Sequence, residues 1–214
     1  MKFPACVAGY VQAGGGSTRF GSDKALIQLA GKTMLQRSVD LLATVCDPVK
    51  IVAATGKYEN PPAALVADRW PGQGPLGGIL TALQDAAGSQ QPGSSVLPSP
   101  FVLVVSCDMP FLTTDWLNFL CLRAQISQAH VIVAESENGL EPLCACWRVD
   151  SAANIQSAFD SGVRKVAEAM KRLPRELLDV SVWKRFDTQG HLFWNMNTPA
   201  DFAEARRIIE TQNE

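Results

Sequence analysis

Residues 12–24, Gln12-Ala-Gly-Gly-Gly-Ser-Thr-Arg-Phe-Gly-Ser-Asp-Lys24, carry the strongest chemical signal in this chain. Glycines placed directly after an apolar strand let the backbone approach a ligand, and their N–H groups can ring a phosphate. Arg19 and Lys24 add positive charge to the same segment, which suits phosphate oxygens. Two familiar phosphate loops do not match. In the Walker pattern G-x-x-x-x-G-K-S/T, Gly16 and Gly21 have the glycine spacing, but Ser22 and Asp23 stand where Lys and Ser or Thr belong. Gly31-Lys32-Thr33 has the right ending, but Leu26 replaces the first glycine. The dinucleotide pattern G-x-G-x-x-G fails at Arg19. The alternative is a tight turn with a solvated Arg and Lys, although a turn alone rarely needs three glycines and two cations.

Two carboxylates belong beside this loop. Asp68 and Asp108 each follow a candidate strand, as the glycines follow the first. In a parallel sheet all three segments share the carboxyl edge, where α/β sheets bind ligands. Asp108 follows an all-apolar strand and is the candidate metal ligand, since a carboxylate there can hold Mg²⁺ whose other oxygens come from water and phosphates. A turn or capping role before Pro110 is the other reading of Asp108, and a loop-side turn the other reading of Asp68.

The elements that must position these residues follow from short apolar runs alternating with helical patterns, which predict an α/β fold. The expected architecture is a single-domain three-layer sandwich: a Rossmann-like, mostly parallel sheet with helices on both faces and a late antiparallel strand. Strands are expected at 5–11, 49–54, 64–67, 101–105, 130–134, 143–147 (antiparallel) and 180–183. Thr33 with Gln36 forms a capping box for a helix to about residue 45, on which Leu35, Val39 and Leu42 make one apolar face. Further helices are expected at about 76–87, 114–127, within 149–173, and from Pro199, with Thr198 as N-cap, to about 209. Residues 89–100, with three prolines and no helical period, read as a surface loop insertion in a domain spanning 1–214.

Composition narrows the class of protein. The 214 residues include 19 Lys and Arg against 21 Asp and Glu, a net charge of −2, which supplies no general field for nucleic acid or an anionic membrane. Apolar runs such as 101–105 fall far short of the roughly 20 residues that cross a bilayer. Residues 1–11, broken by Pro4 and Gly9, read as a strand and not as a signal peptide. The six cysteines, Cys6, Cys46, Cys107, Cys121, Cys144 and Cys146, lie in apolar segments without a C-x-x-C pair, which fits reduced thiols in a cytoplasmic protein. Cys144 and Cys146 share a strand face, but only His130 and His191 could add nitrogen ligands, so the spacing disfavours zinc.

The sequence from Ala13 to Leu26 resembles the signature LAGG-x-S-x-R-M-G-x-DK-A-L of the molybdenum cofactor guanylyltransferase (MobA) family. Gly74-Pro75-Leu76-Gly77-Gly78 resembles its GPLAG turn, Cys107-Asp108-Met109-Pro110 its CDMP, and Asn195-Met-Asn-Thr-Pro199 its N-x-NTP. The segments occur in family order and cover nearly the whole chain. The resemblance implies a GT-A-like nucleotidyltransferase that takes Mg·GTP and molybdopterin and forms the guanine dinucleotide with release of pyrophosphate. By motif position it implies that Ala13, Gly14 and Gly15 contact GTP, Lys24 its phosphates, Asp68 the nucleotide and Asp108 the metal. Arg19 matches the loop arginine and is assigned to the triphosphate on charge. Gln12, Phe20 and Gly77 depart from the usual Leu, Met and Ala, and none of these removes a charged participant. Ala53 stands close to where some members have Asn, which leaves only a backbone contact there.

The implied chemistry has the pterin phosphate attack the α-phosphorus in line, with Mg²⁺ on Asp108 and with Lys24 and Arg19 offsetting charge on pyrophosphate. Members that use CTP show LAAG where this chain has Ala13-Gly14-Gly15, and a methyl missing at Gly15 leaves room for a purine. Asn195, Asn197 and Pro142 with Leu143 are expected on the acceptor side, with helix capping as the other reading of Asn197. Trp147, Trp183 and Trp194 either stack on a pterin or pack. A molybdopterin cytidylyltransferase or sugar-phosphate nucleotidyltransferase shares the fold logic, but Asp23-Lys24 and Gly14-Gly15 disfavour both. A GTP-binding adaptor without turnover is the non-enzymatic alternative.

Overall fold

The computed structural model describes residues 7–14, 23–88 and 100–211. The expectations on Cys6, Gly15, Gly16, Arg19, Phe20, Gly21 and the 89–99 stretch lie outside the described residues. In chain order the elements are β1 (Val7–Gln12), the short hairpin β2 (Gln28–Leu29) and β3 (Lys32–Thr33), α1 (Met34–Leu42), β4 (Val49–Ala53), β5 (Ala64–Ala67) and α2 (Pro75–Gly88). Then follow β6 (Phe101–Ser106), α3 (Thr114–Ile126), β7 (Val131–Ser136), β8 (Gly139–Arg148), α4 (Ala152–Asp160), α5 (Val166–Met170), β9 (Arg175–Leu178), α6 (Val180–Trp183) and α7 (Pro199–Thr211).

The main sheet runs β5-β4-β1-β6-β8-β7-β9. β5, β4, β1 and β6 pair in parallel, β8 runs antiparallel to both of its neighbours, and β9 lies parallel to β7. The expected antiparallel strand is therefore β8 alone. Strand alternation splits the core in two. Leu103 and Val105 of β6 join α1 and α3 on one face, while Val102 and Val104 join α2, α4 and α5 on the other. Every residue of β6 is buried, as a strand covered on both faces requires.

Local signals set most element ends. Thr33 Oγ1 accepts from Gln36 N at 3.1 Å and starts α1, but the reciprocal half of the expected box is replaced: Gln36 Nε2 donates to Asp40 Oδ1 at 2.7 Å. Thr198 Oγ1 accepts from Asp201 N, and Asp201 Oδ2 accepts in turn from Thr198 N, which closes a full box at α7.

One expected strand is overturned. Residues 180–183 form α6, because Asp179 Oδ1 accepts from Ser181 N at 2.8 Å and caps a helical turn. The strand in that region is β9, just upstream, which alternation did not reveal because three of its four residues are partly or fully exposed at the sheet edge.

Gly9 marks a close approach of β1 to the end of α1 and to Cys46 just beyond it. A Cβ there would lie 2.9 Å from Cys46 Cβ and 3.3 Å from Leu42 Cδ1. We expect Gly9→Ala to cost about 1–3 kcal/mol by overpacking, read as a lower denaturant midpoint with an unchanged slope; an unaltered midpoint would mean the contact relaxes freely.

Candidate active site

β5, β4, β1 and β6 are consecutive parallel strands, and the cleft lies across their carboxyl ends. A cavity of about 320 Å³ there is lined by Gly14, Val52, Asp68, Gly74, Ser106 and Asp108, with Gln12, Gly72, Pro75, Gly78 and Leu143 completing the wall. The three dispersed segments of the sequence therefore do converge.

Each carboxylate is held by its backbone. Asp68 N donates to Ala53 O at 2.8 Å, and Asp68 Oδ1 accepts from Trp70 N at 2.9 Å and from Thr81 Oγ1 at 3.4 Å. That turn directs Oδ2 toward the glycine loop, where a Cβ on Gly14 would lie 3.4 Å from it. The turn role and a ligand-facing oxygen thus coexist in one side chain. Ala53 itself is buried and its carbonyl is taken by Asp68, so Val52 forms the cleft wall at that strand end.

Asp108 is fixed by its own carbonyl, which accepts from Met196 N at 2.9 Å, and by Cys107 N, which donates to Gln12 O at 3.2 Å. Its Oδ1 is buried and has no hydrogen-bond partner among the described residues. A buried carboxylate oxygen left unpaired is costly unless a cation or donor completes it, so the donor chemistry fits a hard divalent metal. The neighbouring Cys107 thiol is pushed up to about 12 by burial and by the Asp108 and Asp23 carboxylates. It stays neutral near pH 7 and adds no charge to the site.

Lys24 reaches across to the C-terminal motif, its Nζ donating to Asn197 Oδ1 at 3.0 Å. The capping reading of the Asn197 side chain is set aside. Its side chain serves Lys24, and the capping of α7 falls to Thr198 and Asp201. Asn195 Nδ2 donates to Phe193 O at 3.2 Å within its own turn. Pro142 lies in β8 where the pairing with β7 shifts register between Val133 and Glu135, an irregularity suited to a residue without an N–H. Leu143 lines the cleft and Pro142 is outside its lining. The tryptophans pack: Trp147 is fully buried, Trp183 Nε1 donates to Glu135 O, and Trp194 stacks on Phe111 at 5.6 Å.

A protein-family description, MobA-like NTP transferase domain, matches residues 9–175, most of the chain and all of the cleft described above. The chain belongs to this family. Among curated relatives of this MobA-like transferase, a probable molybdenum cofactor guanylyltransferase of Chloroflexus aggregans is 30% identical over 97% of both chains. A molybdenum cofactor guanylyltransferase of Rhodopseudomonas palustris is 32% identical over 92% of this chain and 91% of its own. In fold, the MobA-like chain resembles molybdopterin-guanine dinucleotide biosynthesis protein A of Archaeoglobus fulgidus, with a TM-score of 0.78 and 23% identity over 95% and 99% of the two chains. It also resembles 2-C-methyl-D-erythritol 4-phosphate cytidylyltransferase of Thermus thermophilus, at TM-score 0.65 and 14% identity over 94% and 98%. No helix among the described residues is long and apolar enough to cross a membrane.

Sequence reasoning missed several contacts that shape the MobA-like cleft, some made by motif residues and some, at Gly72, Arg164, Lys57 and Tyr58, from outside the motifs. Gln12, noted only as a departure from Leu, donates through Nε2 to Pro75 O at 2.9 Å and lies so close to α2 that a Cβ on Gly78 would sit 2.7 Å from it. Gly72 and Gly74 have φ of +79° and +85°, which only glycine adopts without strain. Their turn is braced by Arg164, whose Nε donates to Gln73 Oε1 at 3.1 Å while its guanidinium lies 3.9 Å over Phe159. Lys57 and Tyr58 reach the glycine loop from the segment after β4. A cation just past a parallel strand end was the one signal that could have flagged Lys57.

Proposed function

We propose that the protein transfers GMP from GTP to molybdopterin, forming the guanine dinucleotide of the molybdenum cofactor and releasing pyrophosphate. The observation that carries this is the buried Oδ1 of Asp108, unpaired among the described residues, at the same cleft as Gly14 and Asp68. The names of the relatives supply the nucleotide and the acceptor.

In this reading Ala13, Gly14 and Gly15 admit the nucleotide against the backbone, and Asp68 faces it with Oδ2. Lys24 and Arg19 bind the triphosphate and offset charge on the departing pyrophosphate. Asn197 orients Lys24 and, with Asn195 and the Pro142 irregularity, borders the acceptor side. A phosphate oxygen of the pterin attacks the α-phosphorus as the bond to pyrophosphate breaks, so the acceptor brings its own nucleophile and no protein base is needed. Mg²⁺ held by Asp108 would neutralise phosphate charge when bound.

LAAG falls on residues 12–15, so the extra methyl of CTP users belongs at Gly14 and not at Gly15. At Gly14 that methyl would touch Asp68 Oδ2, at 3.4 Å. We therefore expect Gly14→Ala to lower the GTP-to-CTP ratio of kcat/KM by about tenfold; an unchanged ratio would remove Gly14 from base selection.

The test of the function is pyrophosphate release with Mg²⁺, molybdopterin, and GTP or CTP in parallel, repeated with EDTA. Release that is faster with GTP and lost on chelation supports the proposal. Equal use of CTP would make it a cytidylyltransferase as much as a guanylyltransferase, and GTP binding without release would make it an adaptor.

A further inference from the structure

Thr55-Gly56-Lys57-Tyr58 carries no motif, yet its side chains hold the described ends of the glycine-rich segment together. Gly56, at φ +72°, turns the chain after β4. Lys57 Nζ then lies 2.5 Å from the Ala13 carbonyl oxygen and 3.0 Å from Asp23 Oδ2. The Tyr58 hydroxyl lies 3.1 Å from each of the same two oxygens. Asp23 Oδ1 accepts from Ala25 N at 3.1 Å and so starts the turn that carries Lys24.

We infer that Lys57 and Tyr58 are positioning residues for nucleotide binding, a latch that ties Ala13, where the loop leaves β1, to Asp23, where it re-enters beside Lys24. The inference rests on reading Gly14 and Lys24, at the two described ends of that segment, as part of the nucleotide site. Its physical basis is twofold. Ala13 and Tyr58 are 3% and 8% exposed, so without the latch the Ala13 carbonyl loses its donors where water has little access. Asp23 also stands next to the lysine assigned to the phosphates, and the Lys57 ammonium offsets a carboxylate that would otherwise repel a polyphosphate. The pair is 21% exposed on each side, so solvent screens it less than it would a surface pair. Burial and the Asp23 charge raise the Tyr58 phenol far above its ordinary value, so it remains a donor throughout the working pH range.

The experiment compares Lys57→Met, Lys57→Arg and Tyr58→Phe with wild-type protein, using GTP, Mg²⁺ and molybdopterin. Lys32→Met, which breaks an exposed ion pair with Asp40, serves as the charge control. Lys57→Met is expected to raise the KM for GTP about tenfold, more than it lowers kcat, with the acceptor KM within about twofold. Lys57→Arg should recover most of the loss, and Tyr58→Phe should raise the GTP KM about threefold. If Lys57→Met does not fold, Tyr58→Phe carries the test, since it removes one hydroxyl and leaves the ring in place. A GTP KM within about twofold of wild type in these variants, or equal effects from Lys57→Met and Lys32→Met, overturns the latch. Wild-type protein that releases no pyrophosphate from any nucleotide overturns the functional reading instead, a result distinct from the first.

Discussion

Asp108→Ala is expected to lower Mg²⁺-dependent pyrophosphate release by at least about 10³-fold at saturating GTP. The size follows from what the side chain offers. Its Oδ1 is buried and unpaired among the described residues, so its removal deletes a charge that no neighbour in the described structure replaces. The fold should survive, because the groups that fix this turn are the Asp108 carbonyl, accepting from Met196 N, and Cys107 N, donating to Gln12 O. Neither uses the carboxylate. Asp108→Asn keeps the shape without the charge and should lose nearly as much, which separates metal binding from packing. Steady-state release across a Mg²⁺ titration decides it: near-normal activity in either variant would sink the metal assignment.

The second large effect is expected at Lys24. Lys24→Met should reduce kcat/KM for GTP by about 10²–10³-fold, the usual loss when a charge facing the transferring phosphates is removed. Asn197 lies 3.0 Å from the ammonium through Oδ1 and aims it, so Asn197→Ala should cost about tenfold. The two substitutions act on one interaction, so the double variant should be little worse than Lys24→Met alone. Additive losses would show that Asn197 acts on the acceptor independently of Lys24. A Lys24→Met variant that altered only the acceptor KM would place the lysine on the wrong substrate.

The readable part of this protein was local in origin. Gly14 after β1, the all-apolar run of β6 and the threonine caps at residues 33 and 198 act through neighbours close in sequence, and they predicted where elements begin and end. A parallel sheet then forces strand ends to one edge, which is why Gly14, Asp68 and Asp108 could be grouped before any coordinates. Residues 180–183 show the limit of periodicity: Val180-Ser-Val-Trp183 alternates like a strand, but the Asp179 cap and the neighbouring β9 leave it helical.

The sequence by itself therefore determined the fold class, the family resemblance and the residue types of the cleft. The tertiary structure decided which side chains meet across long separations. Lys57 and Tyr58 close on Ala13 and Asp23, Asn197 serves Lys24 instead of capping a helix, and Asp68 Oδ2 comes to face Gly14. Those pairings depend on strand order and on the path of connecting segments, and local propensity carries no information about either.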